Sequence, residues 1–185
     1  MEKLKKFKTA KESQVVLSQL MLPSYSNFSG KIHGGYILNL MDQVAFACAS
    51  KHSGNYAVTA SVDKVDFLNS IEVGEMINLK ASVNYTGRTS MVIGLRVESE
   101  NIRTGEKKHC NSSYFTMVAK DDTGQNVEVP GLILNDRNAV RRFVRCIKLK
   151  ETDNRQENLF SEEHFVMNKY LDLLDKQNAK VKIPE

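Results

Sequence analysis

The chain has 185 residues, of which 41% are hydrophobic and 26% charged, and its formal net charge is +4. This length fits one domain with a full core, and the modest charge without a long basic arm argues against nucleic-acid binding. The cysteines, Cys48, Cys110 and Cys146, are odd in number and widely spaced, which favours a reducing, cytoplasmic setting over a disulfide framework or a metal site. No segment has the apolar length of a signal-peptide core or a membrane span.

The first elements along the chain are predicted to be a strand and a buried helix. The stretch from Val15 to Leu22 is largely apolar and stops at Pro23, as a strand would. After a polar loop, apolar residues from Gly34 to about His52 recur at helical spacing and spread round the whole circumference. This pattern predicts a central helix wrapped by other structure.

Four more strands are predicted: Tyr56–Leu68, Glu75–Tyr85, Ser90–Glu100 and His109–Lys120. In the second of these strands one face is formed by Ile77, Leu79, Ala81, Val83 and Tyr85. A strand, a buried helix and four strands joined by short turns indicate an α+β protein with the hotdog fold, in which an antiparallel sheet of about five strands wraps round a long central helix. An open two-layer sandwich with the helix on one face is the alternative.

The C-terminal part is predicted to be helical. Asp136 is a plausible N-cap of a helix. Its apolar stripe comprises Ala139, Val140, Phe143, Val144 and Ile147, and the opposite face carries Arg141, Arg142 and Arg145. A polar linker over Glu151–Asn158 and a last amphipathic helix over Ser161–Gln177 follow. We expect a hotdog domain over residues 1–132 and a C-terminal helical extension over residues 133–185.

Asp42 is an unexpected carboxylate within Leu38–Ala49, a stretch that is otherwise apolar except for Asn39 and Gln43. Burying an isolated ionised carboxylate is so costly that the group must be paired, neutralised, or exposed to a functional cleft. A structural role, with Asp42 bonded to backbone amides or to Asn39, is the alternative to a catalytic one. The pattern alone leaves both open.

The residues at the helix entry resemble a known family. The segment Asn27-Phe28-Ser29-Gly30-Lys31-Ile32-His33-Gly34-Gly35, followed by Leu38–Asp42, the strand Val58–Asp63, Asp66-Phe67 and Gly87–Met91, resembles the hotdog-fold acyl-CoA thioesterases of the hexameric bacterial and mammalian brain-type group. The resemblance covers about Val15 to Lys120. Lys31 departs from the pattern, because relatives often carry Asn or Asp at this position.

This resemblance implies a site that two subunits share. Asn27 matches the catalytic asparagine of the family and would meet Asp42 across a subunit boundary, so that Asp42 would be buried in its own fold yet open to a cleft there. Asp42 could act as general base toward water or attack the thioester directly. Gly34 and Gly35 open the helix, and the Gly35 amide is our candidate oxyanion donor. We interpret His33 as a residue that shapes the site rather than as the base.

Two further groups are predicted to contact the substrate. Thr59 and Ser61 alternate with apolar residues, so their hydroxyls should share one strand face and border the acyl-thioester site. Arg88, Thr89 and Ser90 supply a cation and hydroxyl donors at a turn, as the phosphates of coenzyme A require.

These observations predict an acyl-CoA thioester hydrolase that uses water and neither a metal nor an organic cofactor, with coenzyme A as part of its substrate. We expect a homo-oligomer, most simply a trimer of dimers. The alternatives are a hotdog dehydratase or hydratase, which would need a histidine on the helix face of Asp42, a non-catalytic acyl-CoA-binding module, and a purely structural hotdog subunit.

Overall fold

In the described part of the chain, residues 7–160 and residue 166, a computed structural model gives a curled sheet around one long helix. The elements in chain order are β1 (Phe7–Thr9), α1 (Ala10–Ser13), β2 (Val15–Leu20), a 3-10 turn (Pro23–Tyr25), α2 (Gly34–Ser53), β3 (Tyr56–Val62), β4 (Asp66–Phe67), β5 (Glu75–Thr86), β6 (Ser90–Asn101), β7 (Lys107–Lys120), β8 (Gly131–Ile133) and α3 (Arg137–Phe160). The predicted central helix and the strands that follow it are confirmed to within a few residues.

The main sheet is antiparallel, in the order β2-β5-β6-β7-β3, with β4 also pairing with β7. Its inner face carries the alternating apolar residues of the long strands, so the predicted hotdog sheet is confirmed. The predicted strand Tyr56–Leu68 is divided, because its register shifts between Thr59 and Ser61 and the pairing with β7 stops before β4. Because β3 is the last strand in the sheet order, it is an edge strand.

Helix α2 lies against the inner face of this sheet. Its buried residues include Ile37, Leu40, Met41, Val44, Ala45 and Cys48, which join one core with Ile77, Leu79, Ile93, Phe115 and Met117 of the strands. Full burial of a side chain of this size contributes roughly 1.5–3 kcal/mol. The prediction that α2 is wrapped on all sides is only partly right, because one side of the helix is exposed near β3.

The C-terminal end of α2 is tied to the N-terminal segment. His52 is fully buried, and its Nδ1 and Nε2 lie 3.1 Å from Ser13 Oγ and 3.0 Å from Pro130 O. Burial lowers the pKa of His52. The Nζ of Lys8 donates to the His52 carbonyl oxygen at 2.7 Å, which satisfies one of the unpaired carbonyls at a helix end.

A β-bulge near the end of β5 corrects one predicted face. The register with β6 shifts between Val83 and Tyr85, so Tyr85 pairs with Val92 and points away from the core instead of continuing the inner stripe. There its ring meets that of Phe143 at 4.9 Å between centroids. The bulge therefore supplies an aromatic contact for the first turns of α3.

The predicted stripe of α3 is partly wrong. Val140 and Val144 are exposed, whereas Cys146 is buried, and the exposed Arg145 places its guanidinium 5.2 Å from the centroid of the Tyr114 ring. A cation and an aromatic face attract at this distance. Arg145 therefore stays exposed, as predicted, while it contacts one ring of β7.

Helix α3 continues through Glu151–Asn158, so the prediction of a polar linker there is wrong. The predicted helix Ser161–Gln177 lies outside the described residues. The chain divides into two compact units, Met1–Cys146 and Ile147–Glu185. A functional boundary between residues 132 and 133 stays a prediction.

Candidate active site

Asp42 projects from the exposed side of α2 toward the edge strand. Its Oδ1 accepts a hydrogen bond from Thr59 Oγ1 at 2.6 Å, and its Oδ2 accepts none from the described residues. Asn39, the alternative structural partner, instead accepts a hydrogen bond from Gln43 at 3.3 Å. The expectation that Asp42 is buried in its own fold is wrong for the single chain, because this side of α2 faces past β3.

An open hollow of about 590 Å³ adjoins the Asp42 carboxylate. It is lined by Asp42, Gln43, Phe46, Tyr56, Ala57, Val58, Thr59 and Met117. The rings of Phe46 and Tyr56 meet at 5.2 Å between centroids, and both side chains are partly exposed. The carboxylate and the Thr59 hydroxyl therefore stand at the border of a largely apolar space.

The two hydroxyls predicted to share a face of β3 do not. Thr59 pairs with Met117, whose side chain belongs to the core, whereas Ser61 pairs with Thr116, the next residue along β7. Consecutive residues of a strand point to opposite faces, so the register shift sends Thr59 toward α2 and Ser61 to the outer face. The prediction that Ser61 borders the same site as Thr59 is wrong.

Asn27 is held firmly in the loop before α2. Its Oδ1 accepts hydrogen bonds from Ser29 N at 2.9 Å, Ser29 Oγ at 2.7 Å and Lys31 N at 3.2 Å. A turn closed by Gly30 N donating to Asn27 O at 3.0 Å, with Gly30 at a φ of 76°, completes the loop. Because Oδ1 is engaged, the Asn27 Nδ2 is left as the side-chain donor, and it has no partner among the described residues.

Lys31, the departure from the family pattern, fastens this loop to the turn before β5. It forms a backbone bridge with Glu72, and its Nζ pairs with the Glu72 carboxylate. The hydrogen bond from Lys31 lowers the pKa of Glu72. Its charge is therefore directed at Glu72 rather than left free near the helix entry.

The backbone amides at the helix entry differ in their hydrogen bonding. The Gly35 N–H donates to Nδ1 of His33, the N-cap residue, at 3.0 Å. The N–H of Gly34, the first helical residue, has no hydrogen-bond partner among the described residues and is at the positive end of the helix dipole. A Cβ at Gly34 would lie 3.1 Å from the Phe67 ring, a tight contact that this ring would have to move slightly to relieve. His33 is the N-cap of α2, and its role in shaping the substrate site stays a prediction.

Arg88, Thr89 and Ser90 form the turn between β5 and β6. The carbonyl oxygens of Arg88 and Thr89 accept from Val129 N and Ala119 N, each at 3.0 Å, so the backbone of the turn is fixed. Ser90 pairs with Val118, which pairs with Val58, the neighbour of Thr59. With strands about 4.8 Å apart, the turn lies roughly 10 Å from β3 at the same end of the sheet.

Within one chain the two principal candidates are apart. Asp42 lies eight residues after Gly34 in α2, about 12 Å further along the helix axis at 1.5 Å per residue. The Asn27 loop is at the other end of this interval, and Asn27 shares no hydrogen bond with Asp42. A single chain therefore holds the two parts of the predicted site without joining them.

Sequence reasoning missed the aromatic residues that surround these groups. Phe46 and Tyr56 border the hollow, and Phe67 covers Gly34. Phe28 is fully exposed at the tip of the Asn27 loop. An aromatic residue in an otherwise polar loop was the available signal, because exposed large apolar side chains often mark contact sites.

The described residues offer no other centre of obvious reactivity. No group of three or more His, Cys, Asp or Glu among them is placed to hold a metal ion. All three cysteines are buried, and burial raises the pKa of Cys48 to about 12, which disfavours a thiolate nucleophile. Among the described helices none is long and apolar enough to cross a membrane.

The sequence matches a family model and curated relatives. The model of the thioesterase superfamily matches residues 29–106. Protein VdlD of Helicobacter pylori is 40% identical over 147 residues, which cover 80% of this chain and 84% of that protein. The uncharacterized acyl-CoA thioester hydrolase YkhA of Bacillus subtilis is 34% identical over 123 residues, covering 66% of this chain and 72% of that one.

Solved structures agree. A hexameric acyl-CoA thioesterase in its apo form is 35% identical, with a TM-score of 0.80 over 83% of this chain and 99% of that chain. The acyl-CoA hydrolase of Staphylococcus aureus, solved with butyryl coenzyme A and coenzyme A, is 26% identical, with a TM-score of 0.75 over 92% of this chain and 99% of that chain. It has also been solved as asparagine-to-alanine, aspartate-to-alanine and threonine-to-alanine variants, whose positions are 15 and 17 residues apart in that order.

The curled sheet around an inner helix and the similarity to these relatives show the family. The chain belongs to the hotdog-fold acyl-CoA thioesterases, a family of thioester hydrolases. The predicted resemblance is confirmed.

Proposed function

We propose that this chain hydrolyses acyl-CoA to a free carboxylic acid and coenzyme A, in a site formed by Asp42 of one copy and Asn27 of a neighbouring copy. Water adds to the thioester carbonyl carbon, the carbon–sulfur bond breaks, and the thiolate takes up a proton. Asp42 either removes the proton from water as general base or attacks the carbonyl itself to form an anhydride that water then cleaves.

The observation that carries the proposal is the setting of the Asp42 carboxylate. Thr59 orients one oxygen and leaves the other free, and both stand at the mouth of an apolar hollow. A base must be oriented yet accessible, and the hollow offers a place for an acyl chain beside it.

Asn27 fits the role of a hydrogen-bond donor supplied by a second copy. Its Oδ1 is engaged within the loop, so its Nδ2 would donate either to the thioester carbonyl or to the attacking water. The separations between Asn27, Asp42 and Thr59 equal those between the three positions substituted in the Staphylococcus aureus hydrolase. The distance between Asn27 and Asp42 within one chain supports a site shared by two copies.

The Gly34 amide is the better candidate for the oxyanion donor. Negative charge develops on the carbonyl oxygen during the addition, and a free N–H at the start of a helix stabilises it. The Gly35 N–H would have to leave His33 before it could act in this way. The Phe67 ring beside Gly34 would shield this donor from water.

Arg88, Thr89 and Ser90 are proposed to bind the phosphates of coenzyme A. The Arg88 side chain is exposed and has no partner among the described residues. A turn roughly 10 Å from the edge of the site suits a ligand whose phosphates are separated from its sulfur by a long arm. We assign Ser61 no contact with the thioester.

Two copies per site make a homo-oligomer necessary, and a trimer of dimers is the arrangement we propose. The edge of the sheet at β3 and β4 is exposed, with Tyr56, Val62 and Phe67 all more than 45% accessible in the single chain. Burying such apolar surface against a second copy would be favourable. The proposal includes a cytoplasmic location and no added cofactor.

The test is thiol release from acyl-CoA esters of increasing chain length by the purified full chain. Asp42→Asn and Asn27→Ala should each lower kcat/KM about 10²- to 10⁴-fold, because each removes a group that acts in the transition state. Asn39→Ala is the matched control, since Asn39 is exposed on the same helix but bonds only to Gln43. If both site variants hydrolyse as fast as the parent, the proposed site is wrong.

A mixed assembly tests the shared site. Asp42→Ala and Asn27→Ala chains with different affinity tags are co-expressed, and assemblies that contain both are isolated. Each mixed pair has one intact site and one doubly defective site, so activity should return. Mixed assemblies as inactive as the single variants would contradict a site formed between copies.

A further inference from the structure

We propose that Phe28 of one copy closes the hollow beside Asp42 of a second copy and so limits the size of the acyl group that is accepted. The inference rests on the proposed function above and adds a specificity-determining residue to it. Its ligand class is the acyl chain of the thioester, and its structural basis is a loop that carries both Asn27 and Phe28.

Phe28 is the most exposed large apolar side chain in the described residues, with a relative accessibility of 114%. It occupies the turn that Gly30 N closes on Asn27 O, and the Oδ1 of Asn27 bonds to Ser29 and Lys31 just beyond it. These bonds restrain the loop while they leave the ring in solvent. A phenylalanine held outward in this way has no role in the core of its own chain.

The hollow beside Asp42 lacks a wall. It is open to solvent, and Phe46 and Tyr56 form an apolar border with exposed ring surface. An acyl chain in an open hollow would keep much of its surface in water and gain little from burial. An apolar side chain from a second copy, placed over the hollow, would bury the acyl chain from water.

Chain geometry links the two features. Consecutive Cα atoms are 3.8 Å apart, so an arrangement that brings Asn27 of a second copy to Asp42 also brings the Phe28 backbone to the same site, and the exposed ring extends from it. The hollow adjoins Asp42 directly. The occupant is thus a second copy of this chain, because the same loop must supply Asn27.

A ring at this position would shorten the space available to the acyl group. Smaller residues at position 28 should then admit longer or bulkier acyl chains, and a larger one should exclude them. Discrimination by apolar walls is modest for each carbon atom but adds up along a chain. We therefore expect a graded effect rather than a loss of activity.

The experiment compares Phe28→Ala, Phe28→Leu and Phe28→Trp across acetyl-, butyryl-, octanoyl- and palmitoyl-CoA. The ratio of kcat/KM for palmitoyl-CoA to that for butyryl-CoA should rise about tenfold in the alanine variant, rise less in the leucine variant and fall in the tryptophan variant. Ile102→Ala is the matched control, because Ile102 is an apolar residue 55% exposed in the hairpin turn after β6 and is not among the residues that line the hollow. If all three variants show the same dependence of kcat/KM on acyl-chain length as the parent, the proposal is wrong.

Light scattering shows whether each variant keeps the assembly of the parent. If the alanine variant dissociates, the opposite changes expected for the leucine and tryptophan variants still decide the matter. A ratio that does not follow side-chain size in the assembled variants counts against Phe28 as a wall.

Mixed assemblies show in which copy Phe28 acts. In the first mixture one chain carries Asp42→Ala together with Phe28→Ala, and the other carries Asn27→Ala. The intact site then receives Asn27 and the alanine at position 28 from the first chain, so the ratio of kcat/KM for palmitoyl-CoA to that for butyryl-CoA should rise as in the alanine variant. When Phe28→Ala is placed on the Asn27→Ala chain, the intact site receives Phe28, and the parent profile should persist. The reverse result would place Phe28 in the site of its own chain and refute the inference.

The two proposals fail in different ways. If Asp42→Asn retains full activity, the proposed site is wrong, whatever Phe28 does; if the parent releases no thiol from any acyl-CoA, the proposed function is wrong. If Asp42→Asn is inactive and Phe28 variants leave the chain-length profile unchanged, only the specificity role of Phe28 is wrong.

Discussion

Replacing Thr59 by valine removes one hydroxyl beside the proposed base and nearly preserves the shape of the side chain. The Thr59 Oγ1–H donates to Asp42 Oδ1 at 2.6 Å, a short bond to a charged acceptor, while the Met117 sulfur lies 3.3 Å from the same hydroxyl oxygen. One hydroxyl hydrogen serves one strong acceptor, so we assign it to the carboxylate. Thr59→Val would leave Asp42 without its only hydrogen bond from the described residues.

The size of the effect follows from the charge of the acceptor. A hydrogen bond to a charged group contributes about 1.5–3 kcal/mol, and each 1.4 kcal/mol corresponds to a factor of ten. If the bond orients Asp42 for catalysis, Thr59→Val should lower kcat/KM about 10- to 150-fold. The upper part of this range applies if a second copy excludes water from the site.

The assay is steady-state thiol release at fixed pH, with Thr59→Ser as the control that keeps the hydroxyl. In an Asp42→Asn background, Thr59→Val should have almost no further effect, because coupled residues are not additive. A Thr59→Val enzyme within twofold of the parent would refute the view that this hydrogen bond orients the base.

Two further predictions concern stability. Burial lowers the pKa of His52, so the unfolded chain binds more protons than the folded one below the ordinary histidine pKa of about 6.5. The free energy of unfolding should therefore fall as the pH drops from about 7 toward the folded pKa. Urea titrations at several pH values should show that His52→Gln loses this pH dependence. A pH dependence unchanged in His52→Gln would contradict the prediction. Lys31→Met should cost at most about 1 kcal/mol, since the pair with Glu72 is largely exposed. Because Lys31 lowers the pKa of Glu72, the loss of stability in Lys31→Met should be present above about pH 4.5 and vanish as the pH falls through the lowered pKa. If Lys31→Met is still less stable than the parent at lower pH, the ion pair with Glu72 is not the cause.

The sequence was most informative where its pattern was local. Helix α2 and the long strands follow from the spacing of apolar residues, and the turn-forming His33-Gly34-Gly35 marks where α2 begins. Asp42 stood out by composition alone. The family resemblance added Asn27, which no periodicity would have selected.

The errors arose where strand register or long-range contact mattered. Tyr85 and Ser61 each follow a β-bulge, and one extra residue reverses the faces that simple alternation assigns. The exposure of Asp42 depends on β3 being the edge of the sheet, which alternation does not reveal. Val140 and Val144 of the predicted stripe are exposed, because the side of α3 that packs depends on long-range contacts such as that between Phe143 and Tyr85.

The amino-acid sequence by itself determined the elements, the presence of a carboxylate in an apolar helix and the membership of a thioesterase family. Only the tertiary structure decided that Thr59 rather than Ser61 meets Asp42, that Gly34 rather than Gly35 has the free amide, and that Asn27 and Asp42 are apart within one chain. The physical reason is that periodicity reports which side of an element is apolar. Hydrogen-bond partners depend on register and on distances between elements, which are set when the whole chain packs.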